Sequence, residues 1–275
     1  MVASKYTLAM RSGDPNAAGN SRKNMRESVQ ASLRRLRTDY LDLLWVHAWD
    51  YTTPVEEVMR GLDDLVRAGT VNYVALSDAP AWIASQANTL AALRGWSPFV
   101  ALQIQYSLIE RTGERELLPV AEAFGLSVTA WAPLGAGILT GKYTRGSTAT
   151  PEDSRRAAAN QAHLTERNLR IAREVDRVAD QLGATSAQVA TAWVRQRGRR
   201  IVPIVGVRKL EQLQDLLGSL DVELSAEQLS RLDEASRIEL GFPYSLLRAP
   251  GEGQMVYGDL EPQIDLPAAA PYRWQ

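Results

Sequence analysis

The chain has 275 residues, with 31 Lys+Arg against 32 Asp+Glu, two histidines and no cysteine. The missing cysteines exclude a disulfide scaffold, thiolate catalysis and cysteine-held zinc or iron–sulfur, and a net charge of −1 gives no electrostatic case for nucleic acid. No apolar run approaches the ~18 residues of a membrane span and the N-terminus lacks a signal-peptide pattern, so a soluble, cytoplasmic protein with no membrane partner is expected.

Taken in chain order, the predicted elements alternate between strand and helix. A strand at 2–7 opens the chain, and apolar positions at helical spacing predict a helix over 22–37 (RKNMRESVQASLRRLR). LDLLWV from Leu41 is a strand, and 55–68 (VEEVMRGLDDLVRA) is an amphipathic helix closed by Gly69. Strand-like runs follow from Val71, Phe99 and Ser127. Helices are predicted at 166–182 and 186–197, the second starting near Thr185 or Ser186, and then a strand at Ile201. Helices at 209–217 and 225–236 complete the set. The tail after Phe242 is rich in Pro, Gly and Ala and offers no strand.

Near-continuous apolar strands separated by helices mean a parallel sheet covered on its faces. The period is about thirty residues, that of a βαβ unit. Six strands would complete an open doubly wound sheet, whereas a closed (β/α)8 barrel needs eight. The open sheet is weakened by the lack of a glycine-rich turn after an early strand. The sole candidate, Gly135-Ala-Gly137-Ile-Leu-Thr-Gly141, leads into a polar loop at 144–160 rather than a helix. The expected fold is therefore an α/β TIM barrel forming one domain over 1–275, with an irregular tail at 240–275. It is N-terminally truncated to about six βα units, the two missing units (about sixty residues) lying before Met1.

Barrels carry their working residues at the C-terminal ends of strands. Those ends here hold Lys5, His47, Ser77-Asp78, Gln103, Trp131 and Gly206-Val207-Arg208. Each also has a bland structural reading: a surface lysine, a satisfied core histidine, a core tryptophan, a solvated arginine at a helix start. Trp49, Trp82 and Trp96 are expected near the same face, either lining a substrate pocket or packing the core.

The same segments resemble the aldo-keto reductases. The resemblance runs through TDYLDLLWVHAWD (38–50), PVEEVMRGLDDLVRAGTVNYVALSDAPAW (54–82), LQIQYSLIER (102–111), TAWAPLGAGILTGKY (129–143) and PIVGVRKLEQLQD (203–215). Five motifs in order, collinear over about 2–240, are far more specific than any one. SDAPAW and GFPY are similar to the aryl-alcohol dehydrogenase-like branch. The resemblance implies a (β/α)8 barrel that uses NADP(H) to reduce a small-molecule aldehyde or ketone to an alcohol.

It also implies roles. Lys5 matches the lysine that lowers the pKa of a tyrosine acid, and His47 the histidine that orients the substrate carbonyl. Ser77, Asp78 and Gln103 match side chains on the nicotinamide carboxamide, and Trp131 the aromatic that stacks on the nicotinamide ring. Ala132, Pro133, Leu134, Gly135 and Lys142 match the pyrophosphate segment. Gly206, Arg208, Gln212, Asp215 and Leu216 match the adenosine end, with the Arg208 guanidinium placed to hold a 2′-phosphate.

Two departures follow from the same comparison. Leu216 stands where the family has an asparagine facing the adenine, a loss worth about 1 kcal/mol. The family's catalytic tyrosine, and the aspartate that pairs with the lysine, have no counterpart in the sequence. Strand 2–7 is then expected to be a bare sheet edge and Lys5 an unpaired ammonium. Tyr6 should face a helix, because adjacent strand residues point to opposite faces. Three readings stay open: an NADP(H)-dependent aldo-keto reductase impaired in this chain, a non-catalytic NADP-binding or interaction protein of the same descent, and an unrelated barrel such as a phosphate-handling lyase or isomerase.

Overall fold

The computed structural model describes residues 1–146, 163–198, 200–247 and 257–263. Its strands are β1 (Ala3–Tyr6), β2 (Leu41–Val46), β3 (Val71–Ser77), β4 (Phe99–Gln105), β5 (Ser127–Trp131) and β6 (Ile201–Pro203). They form one sheet in the order β1-β2-β3-β4-β5-β6, and the β1–β2, β2–β3 and β3–β4 pairs are parallel. A doubly wound sheet reverses its strand order partway along. This order never reverses, so the α/β fold is of the barrel type, with β1 and β6 at the two ends of the strand order.

The helices are α1 (Arg22–Leu36), α2 (Val55–Arg67), α3 (Ala81–Arg94), α4 (Leu117–Ala123), α5 (Glu166–Leu182), α6 (Ser186–Gln196), α7 (Leu210–Leu217), α8 (Ala226–Ser236) and the single turn α9 (Tyr244–Leu247). Their starts follow capping chemistry. Ser21, Thr165, Thr185 and Ser225 each accept a backbone N–H from three residues on, and Thr185 and Ser225 form complete capping boxes with Gln188 and Gln228. Gly69 closes α2 as expected, at φ 72° with its N–H on the Val66 carbonyl.

Three described helices are missing from the sequence reading: α3, α4 and the single turn α9. The buried face of α3 is mostly alanine (Ala84, Ala87, Ala91), while Trp82 and Leu93 are exposed, so no apolar stripe marks it. α4 has only seven residues, and Pro119 sits in its first turn. Most of the 144–160 loop and of the tail lies outside the described residues. Among the described residues, no helix is long and apolar enough to cross a membrane.

The chain divides into two compact units. The first is Met1–Ile104 with Glu116–Thr129, the second Gln105–Arg115 with Ala130–Gln275. In the first unit, side-chain alternation sorts the strands into two faces. Register places Lys5 beside Trp45, Trp45 beside Ala75, and Ser77 beside Gln103. Trp45, Ala75 and Ala101 pack into a small cluster with Leu43 on that face. The other face carries Tyr6, Leu44, Val46, Leu76, Leu102 and Ile104, all buried, and the helices supply Met25, Val29, Met59, Leu62 and Ile83. One extra β4 residue between the Val74–Phe99 and Leu76–Leu102 pairs forms a bulge. The bulge re-aims β4, so that Gln103 shares a face with Ser77.

The second unit is organised around Trp193 on α6, which is fully buried. The Arg111 and Arg197 guanidinium carbons each lie 5.3 Å from its ring centroid. Its indole N–H donates to Asp233 at 3.0 Å, and Tyr106 stacks at 5.4 Å with a 31° tilt. Arg111 reaches Glu114 and the Ser236 hydroxyl, and Arg197 reaches Asp233. Every cation in this buried group therefore has a carboxylate, which is the condition for burying charge.

Candidate active site

Backbone strain marks one end of the strands. Six described non-glycine residues have positive φ; one, Arg37, ends α1. The other five are Thr7 (119°), Tyr51 (58°), Asp78 (40°), Ala132 (54°) and Ala136 (55°). All five lie in segments that follow β1, β2, β3 or β5 at their C-terminal ends. Such conformations cost about 1–3 kcal/mol each and concentrate at functional sites.

The first unit brings five of the sequence-predicted residues to this end. Lys5 is next to last in β1, His47 follows β2 with its N–H on the Tyr6 carbonyl at 3.0 Å, and Ser77 ends β3. Asp78 follows, donating its N–H to the Gln103 carbonyl and accepting from the Trp49 N–H. Lys5 is not an unpaired ammonium: its Nζ donates to Gln103 Oε1. Gln103 Nε2 in turn donates to Thr129 Oγ1 at 3.2 Å. The correction arises because strand pairing brings together residues 98 apart in sequence.

Electrostatics tie the group together. Burial lowers the Lys5 pKa against the pull of Asp78. Burial also lowers His47, the Lys5 charge adds to the effect, and Asp78 opposes it. The ring is then neutral at pH 7, a hydrogen-bonding group rather than a cation. Ser77 is 1% exposed, and its Oγ is buried with no hydrogen-bond partner. A buried hydroxyl left unpaired costs about 1–3 kcal/mol, so a ligand amide at that position would satisfy it. Gln103 likewise keeps one N–H and one lone pair beyond its two observed bonds. These groups fit a carboxamide.

Tyr6 points to the other face, as alternation requires, and donates to the Asn20 carbonyl at 3.5 Å. Burial pushes its phenol pKa far up. Trp49 is buried and Trp82 is 58% exposed at the start of α3. Trp96 does not belong to this end. It lies between α3 and the start of β4, with the Arg60 guanidinium 5.9 Å from its ring.

Sequence reading misses Asn20 and Asp50. Asn20 is fully buried and donates its backbone N–H to Asp50 Oδ2, while its Oδ1 accepts from the Asp50 N–H, both at 2.7 Å. Its Nδ2 donates to Thr7 Oγ1 and the Ala48 carbonyl. Asp50 also accepts from the Thr52 and Thr53 N–H groups and the Thr53 hydroxyl. Burial alone would raise the Asp50 pKa, but these donors outweigh it and hold the carboxyl at about 2. Gly19 is required beside this pair: it has φ 78°, and a Cβ there would lie 2.8 Å from Asp50 Oδ2. The one local signal is the D-Y-T-T-P string ahead of α2, an acceptor followed by turn residues.

In the second unit, Trp131 ends β5 half-buried, and its carbonyl accepts from the Tyr106 N–H at 3.3 Å. Ala132, Pro133, Leu134 and Gly135 make a tight turn closed by the Gly135 N–H on the Ala132 carbonyl. Glycine is needed at 135, where φ is 54° and a Cβ would run into Ile109 Cδ1. Lys142 lies beyond, its Nζ 4.5 Å from the Tyr143 ring centroid. Arg145 anchors this segment through Asp180 at 2.8 Å, Asp176 at 3.2 Å and the Ser186 hydroxyl at 3.3 Å.

After β6, residues Ile204 to Gln214 are exposed without interruption, Gly206 and Arg208 among them. Gln212 Oε1 accepts the N–H groups of Arg208 and Lys209, tying 208 and 212 together at the start of α7. Asp215 points elsewhere: its Oδ1 accepts from Thr185 Oγ1 and Gln188 Nε2, both at 3.0 Å. Leu216 is the buried residue of α7.

Comparison with known proteins agrees with the geometry. Residues 1–237 match the Aldo/keto reductase family. The chain is 36% identical over 252 residues to norsolorinic acid reductase of Aspergillus flavus, covering 90% of this chain and 63% of that protein. It is 37% identical over 265 residues to aryl-alcohol dehydrogenase [NADP(+)] of Phanerodontia chrysosporium, covering 90% of this chain and 67% of the relative. A putative aryl-alcohol dehydrogenase of Saccharomyces cerevisiae is 32% identical over 254 residues, which cover 90% of this chain and 88% of the relative. The chain thus spans just under two thirds of the norsolorinic acid reductase it matches. With ordered barrel strands, strained strand ends and a match over most of its length, the chain belongs to the aldo/keto reductase family.

Proposed function

We propose that the chain carries the NADP(H)-binding and carbonyl-orienting part of an oxidoreductase that reduces an aldehyde or ketone to an alcohol. One observation carries this reading: Lys5, Ser77 and Gln103 share a sheet face with His47 just beyond it, and the buried Ser77 hydroxyl there awaits a partner. The NADP(+) in one relative's name supports the cofactor. The aryl-alcohol in two of the names supports an aromatic carbonyl as substrate.

When bound, NADPH supplies the hydride for the carbonyl carbon. Ser77, Asp78 and Gln103 would hold the carboxamide and so fix which ring face is presented; Trp131 is the residue that the resemblance assigns to the ring. Neutral His47 hydrogen-bonds the carbonyl oxygen and orients it. The Lys5 charge favours negative charge developing on that oxygen. Ala132 to Gly135 and Lys142 serve the pyrophosphate. Gly206, Arg208 and Gln212 would serve the adenosine end, with Arg208 on the 2′-phosphate; Asp215, engaged with Thr185 and Gln188, and the buried Leu216 are not free to do so.

A second reading rests on where the tyrosines lie. Tyr6 is buried on the opposite face, and Tyr40 and Tyr73 are exposed at the beginnings of β2 and β3. None of these three stands beside Lys5 as a proton donor. The resemblance assigns the proton to a tyrosine with no counterpart here, so the 275 residues by themselves are expected to bind NADP(H) with only trace turnover, as a non-catalytic NADP-binding protein would.

Fluorescence titration with NADPH and NADH, followed by NADPH oxidation against an aldehyde panel, tests both readings. Saturable NADPH binding supports the first, and its absence sinks it. Turnover near the ordinary enzyme median of ~10 s⁻¹ would overturn the second and show that another group supplies the proton.

A further inference from the structure

Asn20 is the only point among the described residues where the segments after β1 and β2 and the start of α1 are tied through one side chain. Its Nδ2 holds Thr7 Oγ1 at 2.9 Å, two residues from Lys5, and the Ala48 carbonyl at 3.0 Å, next to His47. Its Oδ1 and backbone N–H close a reciprocal pair with Asp50. The anchor beneath is firm: Ser21 caps α1, and Asn24 Nδ2 grips the Gly19 carbonyl at 2.8 Å. Every polar atom of the Asn20 side chain is thus spent on segments flanking Lys5 and His47. Thr7 holds a φ of 119° that a β-branched residue rarely adopts, so a partner must fix it there.

We propose that Asn20 is a positioning residue, fixing the separation and orientation of the strand ends that carry Lys5 and His47. Its use in carbonyl reduction rests on the function proposed above; the geometric role does not. A displaced side chain in such a pair has consequences far larger than its own hydrogen bonds, because catalytic groups misplaced by about 1 Å can lose 10²-fold in rate.

The chain has just two histidines, His47 and His163, so proton NMR can follow both imidazoles in the intact 275-residue protein, with His163→Gln assigning them. The charged groups acting on His47 are Lys5 on β1 and Asp78 after β3. In Asn20→Ala the two strand ends separate, His47 gains water and distance from Lys5, and its titration midpoint should rise toward the ordinary 6.5. Thr7→Val, which removes one of the two Nδ2 acceptors and keeps the shape, should give a smaller rise in the same direction and serves if Asn20→Ala does not fold. Met25→Ala, a cavity in the first turn of the adjoining α1, controls for destabilisation alone.

A cooperatively melting Asn20→Ala protein with an unmoved His47 midpoint would overturn the proposal. So would an equal rise in Met25→Ala. Failure of the cofactor reading shows separately, as no NADPH binding by the unsubstituted protein, while a His47 shift confined to Asn20→Ala and Thr7→Val still supports the positioning role.

Discussion

The segments that follow β2 and β6 are built in opposite ways. After β2, Ala48 and Asp50 are held by Asn20 and Thr53 through hydrogen bonds of 2.7–3.0 Å, His47 donates its N–H to the Tyr6 carbonyl, and Trp49 is buried. After β6, ten residues and more run exposed, and the apolar side chains of Val205, Val207 and Leu210 face water with Arg208 among them. The second unit places its dense polar bonding elsewhere, around Trp193. Chemistry at a carbonyl needs side chains fixed before substrate arrives, whereas a phosphate can be gripped by a guanidinium that is ordered on binding. On the function proposed above, the contrast corresponds to preorganisation in one segment and capture in the other.

The largest expected effect separates stability from site geometry in the second unit. Trp193→Ala removes a fully buried indole, its bond to Asp233 and the surface under two guanidinium groups. The loss should be about 3–5 kcal/mol, read as a lower denaturant midpoint, with the His47 titration midpoint unchanged in the protein that remains folded. A shift of His47 would show that the fixed end of β2 depends on the second unit's core.

Arg208→Ala tests capture directly. The side chain is exposed, and its backbone N–H is already used by Gln212, so folding stability should hardly change. NADPH affinity should fall by about 1.5–3 kcal/mol, the worth of a charge-assisted bond, which is roughly 10–100-fold. NADH affinity should stay level. Equal affinity for the two cofactors, unmoved by the substitution, would show that Arg208 does not read a 2′-phosphate.

Preorganisation after β2 has its own signature in acid. The Asp50 carboxyl titrates at about 2 in the folded protein against an ordinary 3.8. A depressed carboxylate contributes stability that is complete above the ordinary value and is lost as pH falls toward the folded one. Between about pH 4 and 2 the protein should therefore lose roughly 2 kcal/mol through this one group. Asp50→Asn should be less stable at neutral pH and converge on the unsubstituted protein near pH 2. Parallel melting curves across that window would mean that the Asn20, Thr52 and Thr53 donors do not hold the charge.

Much of this contrast was legible in the chain and part of it was not, for a physical reason. Strands such as LDLLWV and helices such as 55–68 announce themselves because burial repeats with the period of the element. Lys5, His47, Ser77 and Gln103 could be picked because a parallel strand that follows a barrel order ends at one place. Asn20 and Asp50 could not, since their reciprocal bonds join residues 30 apart with no shared period. The same holds for Lys5 with Gln103, and for Arg111 with Ser236, which are 125 apart. The β4 bulge that turns Gln103 toward Ser77 leaves no mark in composition either. Local pattern fixes which elements form; side-chain partners across them follow only once the sheet is assembled.

The smallest expected effect asks whether strain in the turn after β5 is used for binding. Ala136 is exposed at φ 55°, and Arg37, which ends α1, is exposed at the same φ. Both side chains sit in a conformation that glycine adopts without penalty. Relief of that strain slightly exceeds the extra unfolded-state entropy of glycine, so Ala136→Gly and Arg37→Gly should each add up to about 1 kcal/mol of stability. Their effects on cofactor should differ. Arg37 lies at the far end of a helix from the strand ends, and its substitution should leave NADPH titration unchanged. Ala136 lies between Gly135 and Gly137, where a third consecutive glycine frees the turn before binding and raises the ordering cost that binding must meet. NADPH affinity should therefore fall about twofold to fivefold, within the tenfold that 1.4 kcal/mol represents. An Ala136→Gly protein that is more stable and binds NADPH as well as before would place that turn with the captured segment after β6, not with the fixed one after β2.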